Sequence, residues 1–135
     1  MTALTFPAKF EYLDEIRDFV GGQARASGFS EKDIYSVQLA ADEAVSNIIE
    51  HAYEGIPNAS FELDCDCDND RLVITVLDHG RSFDPSKVAA PDIKADLSDR
   101  KIGGLGIFLM RKLMDEVRYE ITPSGNRLTL VKRKG

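Results

Sequence analysis

The apolar positions change their period several times along the chain, and each change marks an element. Residues 2 to 7, "TALTFP", alternate weakly and stop at Pro7, the pattern of a short strand. From Lys9 to about Ala26, the apolar residues Phe10, Leu13, Ile16, Phe19 and Val20 recur at three and four, the helical period. Gly21 and Gly22 weaken that helix late in its run, and Gly28 ends it. The next segment opens with Ser30 and Asp33 at the spacing of a capping box and stays helical until Gly55. On it Ile34, Val37, Ala41, Ala44, Val45 and Ile48 form one apolar stripe, which must face a sheet.

Two strands follow, roughly Ala59 to Cys67 and Arg71 to Asp78, joined as a hairpin by the turn-like "DND". From Arg81 to Ile102 the chain is polar, carries Pro85 and Pro91, and holds no sustained period. A glycine cluster then opens a helix of about Leu105 to Asp115, and "EVRYEITP" and "NRLTLVKRK", split by "SG", supply a closing antiparallel hairpin. This order favours an α+β fold with helices on one face of a mainly antiparallel sheet.

Composition narrows the picture. With 135 residues, 43% of them hydrophobic and 30% charged, the chain has the size and make-up of a single globular domain spanning 1–135. No apolar run approaches the length that spans a bilayer, which argues against a membrane protein. The N-terminus has no basic segment followed by an apolar stretch, so a cytoplasmic protein is expected. A net charge of -6 argues against a nucleic-acid partner, because phosphate backbones are held by clustered Lys and Arg. Cys65 and Cys67 would share one face of a strand, where neither a disulfide nor a metal site is expected, since no further ligands follow at a suitable spacing.

Three stretches carry candidate chemistry. In "DEAVSNIIEHAY", Glu43, Asn47 and His51 lie four apart and form a ridge beside the apolar stripe. The ridge reads either as the polar flank of an amphipathic helix or as part of a site. In the second case Asn47 could offer an oxygen to Mg2+, and Glu43 could accept a proton from an attacking hydroxyl. In "LVITVLDHGRSFDP" a strand ends at Asp78, whose carboxylate could accept a hydrogen bond from an exocyclic amine, with room for a flat ring at Gly80. Turning strand ends often carry the same residues. Gly103, Gly104 and Gly106 precede or begin a helix, where unpaired N–H groups favour an anion, although a plain glycine-rich turn has the same composition. The chain lacks G-x-x-x-x-G-K-[ST] and the H-R-D and D-F-G elements, so neither a P-loop protein nor an ordinary protein kinase is expected.

Taken together and in order, "ADEAVSNIIEHAY", "DHGRSFDP" and "DRKIGGLGIFLMRKLMDEVRYE" resemble the N, G1 and G2 boxes of the GHKL (Bergerat-fold) ATPase superfamily. Within it they look most like the anti-sigma factor serine/threonine-protein kinases that control bacterial stress and sporulation responses. The likeness runs from about Phe6 to the C-terminus, and departs from the pattern at Ser82, where a second glycine is frequent.

The resemblance implies a two-layer α/β sandwich with an ATP pocket between the helices and the sheet. By motif position, Asn47 would hold Mg2+ and Glu43 would be the catalytic base. Asp78 would take the adenine amine and Gly80 would make room beside it. Gly103, Gly104 and Gly106 would line the phosphates, Arg100 or Lys101 would touch them, and residues 81–102 would form the ATP lid. The implied partners are an anti-sigma factor antagonist of the STAS type, phosphorylated on Ser or Thr, and a sigma factor that is sequestered. A homodimer is also implied. A different reading is a non-catalytic, nucleotide-dependent binding module of the same fold, and a further one is an adaptor that binds no nucleotide.

Overall fold

A computed structural model of the chain describes residues 2–80 and 104–134. In chain order the elements are β1 (Thr2–Pro7), a 3-10 turn (Phe10–Tyr12), α1 (Leu13–Ala26), α2 (Glu31–Asn47), a π-helical turn (Ile48–Ala52), β2 (Ser60–Cys67), β3 (Arg71–Asp78), α3 (Gly104–Leu113), β4 (Glu116–Thr122) and β5 (Gly125–Arg133). The strands form one five-stranded sheet in the order β1-β2-β3-β5-β4, and every neighbouring pair is antiparallel. The fold is α+β.

Alternation decides which face of the sheet is covered. On β3, Leu72, Ile74 and Val76 are buried, and on β5 their register partners place Leu128 and Leu130 beside them. This face meets Ile16, Val20 and Ala24 of α1, Val37, Ala41 and Val45 of α2, and Met110 of α3 in one apolar core. The expected stripe on α2 is buried along its whole length. At the start of α2, Ser30 is extended and its Oγ accepts the Asp33 N–H at 3.2 Å, satisfying one of the donors a helix leaves unpaired at its start. Gly28, at φ 85°, turns the chain between α1 and α2 as expected.

Gly21 does not interrupt α1. It is buried, and a side chain there would collide with Gln38 of α2, whose Nε2 donates to the Arg17 carbonyl at 3.0 Å. The glycine lets the two helices approach, and that packing offsets its poor helix propensity.

Two boundaries differ from those the periodicity suggests. The α-helical pattern of α2 stops at Asn47 and widens into the π turn, where the Tyr53 N–H reaches the Ile48 carbonyl, five residues back, at 3.0 Å. The last helix stops at Leu113 because the Asp115 N–H turns to the Val131 carbonyl at 2.8 Å and joins the sheet. Cys65 is buried and Cys67 half-buried, both as free thiols, and burial pushes the Cys65 thiol up from its ordinary range. Among the described residues, no helix is long and apolar enough to cross a membrane.

The cap at Ser30 gives the first test. Ser30→Ala is expected to lower stability by about 1 kcal/mol. The measurement is a urea titration in which the midpoint falls while the slope stays the same.

Candidate functional site

The helical layer and the sheet do not close completely against each other. Between α2, its π turn, α3 and the sheet lies a pocket with about 320 Å³ of empty space, counting its open mouth. Ala44, Ile48, Ala52, Met110 and Leu128 form apolar walls, and Asn47, Asp78 and Tyr119 bring polar groups to them. Apolar walls with a few placed polar groups are the usual build of a small-molecule site.

Asp78 ends β3 on the row that faces the core and is only 5% exposed. Its Oδ1 accepts two hydrogen bonds, from the Gly80 N–H at 2.9 Å and from Asn126 Nδ2 at 2.9 Å. The carboxylate is therefore an acceptor held through its Oδ1, and Asp78 lines a mostly apolar wall.

Asn47 is the last residue of α2 and is 8% exposed. Its Nδ2 is buried without a hydrogen-bond partner. Leaving a buried amide unpaired costs about 1–3 kcal/mol, so an arriving group that pairs with it recovers that cost. The other unpartnered buried side-chain atom among the described residues, Asp64 Oδ1, belongs to a residue outside the pocket lining.

Glu43 lies one helical turn before Asn47 and is half-buried, but it is not part of the pocket lining. Burial raises its pKa above the ordinary Glu range, and the charges of Asp42 and Glu50 push it the same way. Asp42 is itself paired with Arg17, whose Nε donates to both carboxylate oxygens at 3.1 and 2.9 Å. His51, the third member of the ridge, sits beside Glu50 with its Nε2 3.6 Å from Oε2.

Gly80 follows β3 by two residues, and the space its side chain would need is filled by the Ala52 carbonyl and the Tyr53 ring. Its bareness thus lets the end of β3 touch the π turn. Tyr53 fastens the same junction: its hydroxyl donates to the Ser60 carbonyl at 2.7 Å and accepts the His79 N–H at 2.7 Å. Gly104 and Gly106 fall in the first turn of α3, the helix that supplies Met110 to the pocket. Gly103, Arg100, Lys101 and the expected lid at 81–102 lie outside the described residues.

Asn47 and Asp78 are thus brought to one hollow from a helix end and a strand end, while Glu43 stays one turn away. Sequence reasoning missed Asn126 and Tyr53. The available signal for Asn126 was a polar residue in the inward row of an otherwise apolar strand, "NRLTL".

A family profile described as the histidine kinase-like ATPase domain matches residues 6–132. The class of protein is therefore a histidine kinase-like ATPase. The serine-protein kinase RsbW of Bacillus licheniformis is 38% identical over 130 residues, covering 93% of this chain and 81% of that protein. The RsbW of Halalkalibacterium halodurans is 37% identical over 123 residues, covering 87% of this chain and 74% of the relative. That of Listeria monocytogenes is 34% identical over 119 residues, covering 85% and 76%. The crystal structure of the RsbU and RsbW domains of a Mycobacterium tuberculosis protein shares the fold, with a TM-score of 0.62 at 19% identity over 98% of this chain and 32% of that chain. The chain belongs to the RsbW family of serine-protein kinases, within the histidine kinase-like ATPases.

The close contact at Gly80 makes a second test. Gly80→Ala forces a methyl group against the Ala52 carbonyl, which is backbone and cannot swing aside. It is expected to destabilise the fold by about 1–3 kcal/mol, read as a lower urea midpoint.

Proposed function

We propose that the pocket binds Mg-ATP and that the chain is an anti-sigma factor kinase. In this reading it transfers the γ-phosphoryl group to a Ser or Thr hydroxyl of a small STAS-type antagonist, and it sequesters a sigma factor. The observation that carries the reading is the pairing of a fixed acceptor carboxylate, Asp78, with the unpartnered amide of Asn47 in one apolar hollow. The names of the relatives support the kinase chemistry and the protein acceptor.

The residues present suit the group. Asp78 accepts from an exocyclic amine, which adenine supplies, and the apolar walls bury the ring. The two ends of the Asn47 amide have the same shape, so its oxygen can turn to a hard cation and its N–H2 to a phosphate oxygen. Among the described residues no group of three or more His, Cys, Asp or Glu could hold a metal ion. Mg2+ keeps much of its shell in water and phosphate oxygens, so a single protein oxygen such as that of Asn47 suffices in this reading. Bound Mg-ATP supplies the phosphoryl group and the positive charge that screens it.

The chain's own residues do the rest. Glu43 takes the proton of the acceptor hydroxyl, and its raised pKa brings it closer to the working pH of a general base. The amides of Gly104 and Gly106 at the start of α3, with Gly103 before them and Arg100 or Lys101, hold the phosphates. Residues 81–102 form the lid of a single domain that works in the cytoplasm as a homodimer.

Glu43→Gln tests the chemistry. With labelled ATP and the antagonist, transfer is expected to fall by about 10²–10⁴-fold, the usual contribution of a general base. Calorimetry should show Mg-ATP binding nearly unchanged. Transfer at the original rate would remove Glu43 from its role, and retained partner capture without any phosphoprotein would favour a binding module. A wild-type chain that gives no saturable heat with Mg-ATP would sink the whole reading.

The same variant has a stability signature. Glu43 is a carboxyl whose folded pKa lies above its unfolded value, so its contribution to stability is fully present below the unfolded pKa. It is lost as pH rises through the folded pKa. Glu43→Gln, which never ionises, is therefore expected to be more stable than the wild type at neutral pH, and the difference should vanish below about pH 4. Thermal melts at both pH values make the comparison.

A further inference from the structure

Tyr53 closes the π turn with its backbone and crosses to the sheet with its side chain. Its N–H reaches the Ile48 carbonyl at 3.0 Å, while its hydroxyl donates to the Ser60 carbonyl at 2.7 Å and accepts the His79 N–H at 2.7 Å. One residue thus joins the turn that follows Asn47, the first residue of β2 and the residue after Asp78. Tyr53 is 7% exposed, and burial raises the pKa of its phenol above the ordinary range, so it keeps the proton that it donates. It is absent from the pocket lining, although its neighbour Ala52 is part of it. Any effect of Tyr53 on a ligand therefore passes through the groups it holds.

Two different forces set the junction between the π turn and the end of β3. The contact of Gly80 with the Ala52 carbonyl is a steric stop, which limits how near the two backbones can come. A stop resists closing and not opening. The two hydrogen bonds of the Tyr53 hydroxyl supply the opposite resistance, because parting the elements breaks one or both of them. Removing the hydroxyl frees a carbonyl on Ser60 and an N–H on His79, both exposed residues, so water can pair with the freed groups. The fold then survives the loss, and what changes is the freedom of the two elements to part.

We propose that Tyr53 is a positioning residue that sets the span between Asn47 and Asp78, so that one Mg-nucleotide reaches both at once. The inference rests on the Mg-ATP reading above and adds to it the residue that keeps the two ends of the pocket in register. Asn47 stands at the start of the π turn that Tyr53 closes, and Asp78 immediately precedes His79. A ligand that grips two points gains the second contact with little further ordering when their spacing is preset. Where the spacing fluctuates, each binding event must also freeze it, and the second contact is weakened. Contact with one end alone is indifferent to the span.

Calorimetry of ADP with Mg2+ and with EDTA separates the two ends, because metal-free ADP keeps the ring contacts and loses the cation that Asn47 would hold. Wild-type protein is expected to bind Mg-ADP about tenfold more tightly than metal-free ADP, the scale of one contact to a charged group. In Tyr53→Phe that increment is expected to shrink to about threefold or less, while metal-free ADP binds within about twofold of wild type. An increment that keeps its wild-type size, or an equal loss with and without Mg2+, would mark Tyr53 as a packing residue and overturn the proposal. Circular dichroism checks folding. If the Phe variant does not fold, exchange of the His79 amide in wild-type protein decides, read by NMR at equal saturation with each ligand. Mg-ADP is expected to slow that exchange at least about threefold more than metal-free ADP, since a ligand held at both ends keeps the bridge shut. Equal exchange would overturn the proposal. Wild-type protein that binds neither form of ADP, or gains nothing from Mg2+, would instead overturn the nucleotide reading on which it rests.

Discussion

The contact between Gly80 and the Ala52 carbonyl governs the geometry of this molecule more than any side-chain pair. It joins the end of a strand to the end of a helix, backbone against backbone, and neither partner has a flexible tip that can yield. Asn47 sits at the start of the π turn and Asp78 two residues before Gly80, so the distance between their side chains follows from that one approach. The Tyr53 hydroxyl, bonded to both Ser60 and His79, keeps the junction from opening. A hollow with rigid edges results, and rigid edges are what a site needs to hold a carboxylate and an amide at a set separation.

Around this hollow the protein tolerates features that do not favour folding. The Asn47 Nδ2 lacks a partner among the described residues, and Glu43 is half-buried among Asp42 and Glu50. Both lie on α2, beside a stripe that packs Val37, Ala41 and Val45 into the core without exposure. The helix is anchored by its apolar stripe and can therefore carry poorly satisfied polar groups along the edge of it. Arg17 limits the cost on that side by pairing with Asp42, the carboxylate next to Glu43 on the same helix.

Much of the fold was legible because its signals are local. The stripe from Ile34 to Ile48, the Ser30 cap, the turn at Gly28 and the alternation along β3 and β5 each depend on residues a few positions apart. What could not be read depends on distant partners or on hydrogen bonds that composition does not record. Asn126 acts on a carboxylate 48 positions away, and in the sequence it is only the polar first residue of the strand "NRLTLVKRK". The π turn was hidden for another reason: Ile48, Ile49 and Ala52 keep an apolar spacing compatible with an ordinary helix, and only the Tyr53 to Ile48 bond shows the extra residue. Gly80 was legible as a residue that needs to be bare, but the sequence pointed to a ligand ring, whereas the structure puts the protein's own backbone in that space.

The strand order has a consequence for how the protein is made. β5 is inserted between β3 and β4 although it follows both in the chain, and it delivers Leu128 to the pocket and Asn126 to its carboxylate. During synthesis the ribosome releases every other described strand before this one, so the nascent chain waits with the hydrogen-bonding edge of β3 unpaired. Completion is then a late, long-range event. A polypeptide stalled short of residue 126 would be sticky as well as inactive, and a natural client for chaperones.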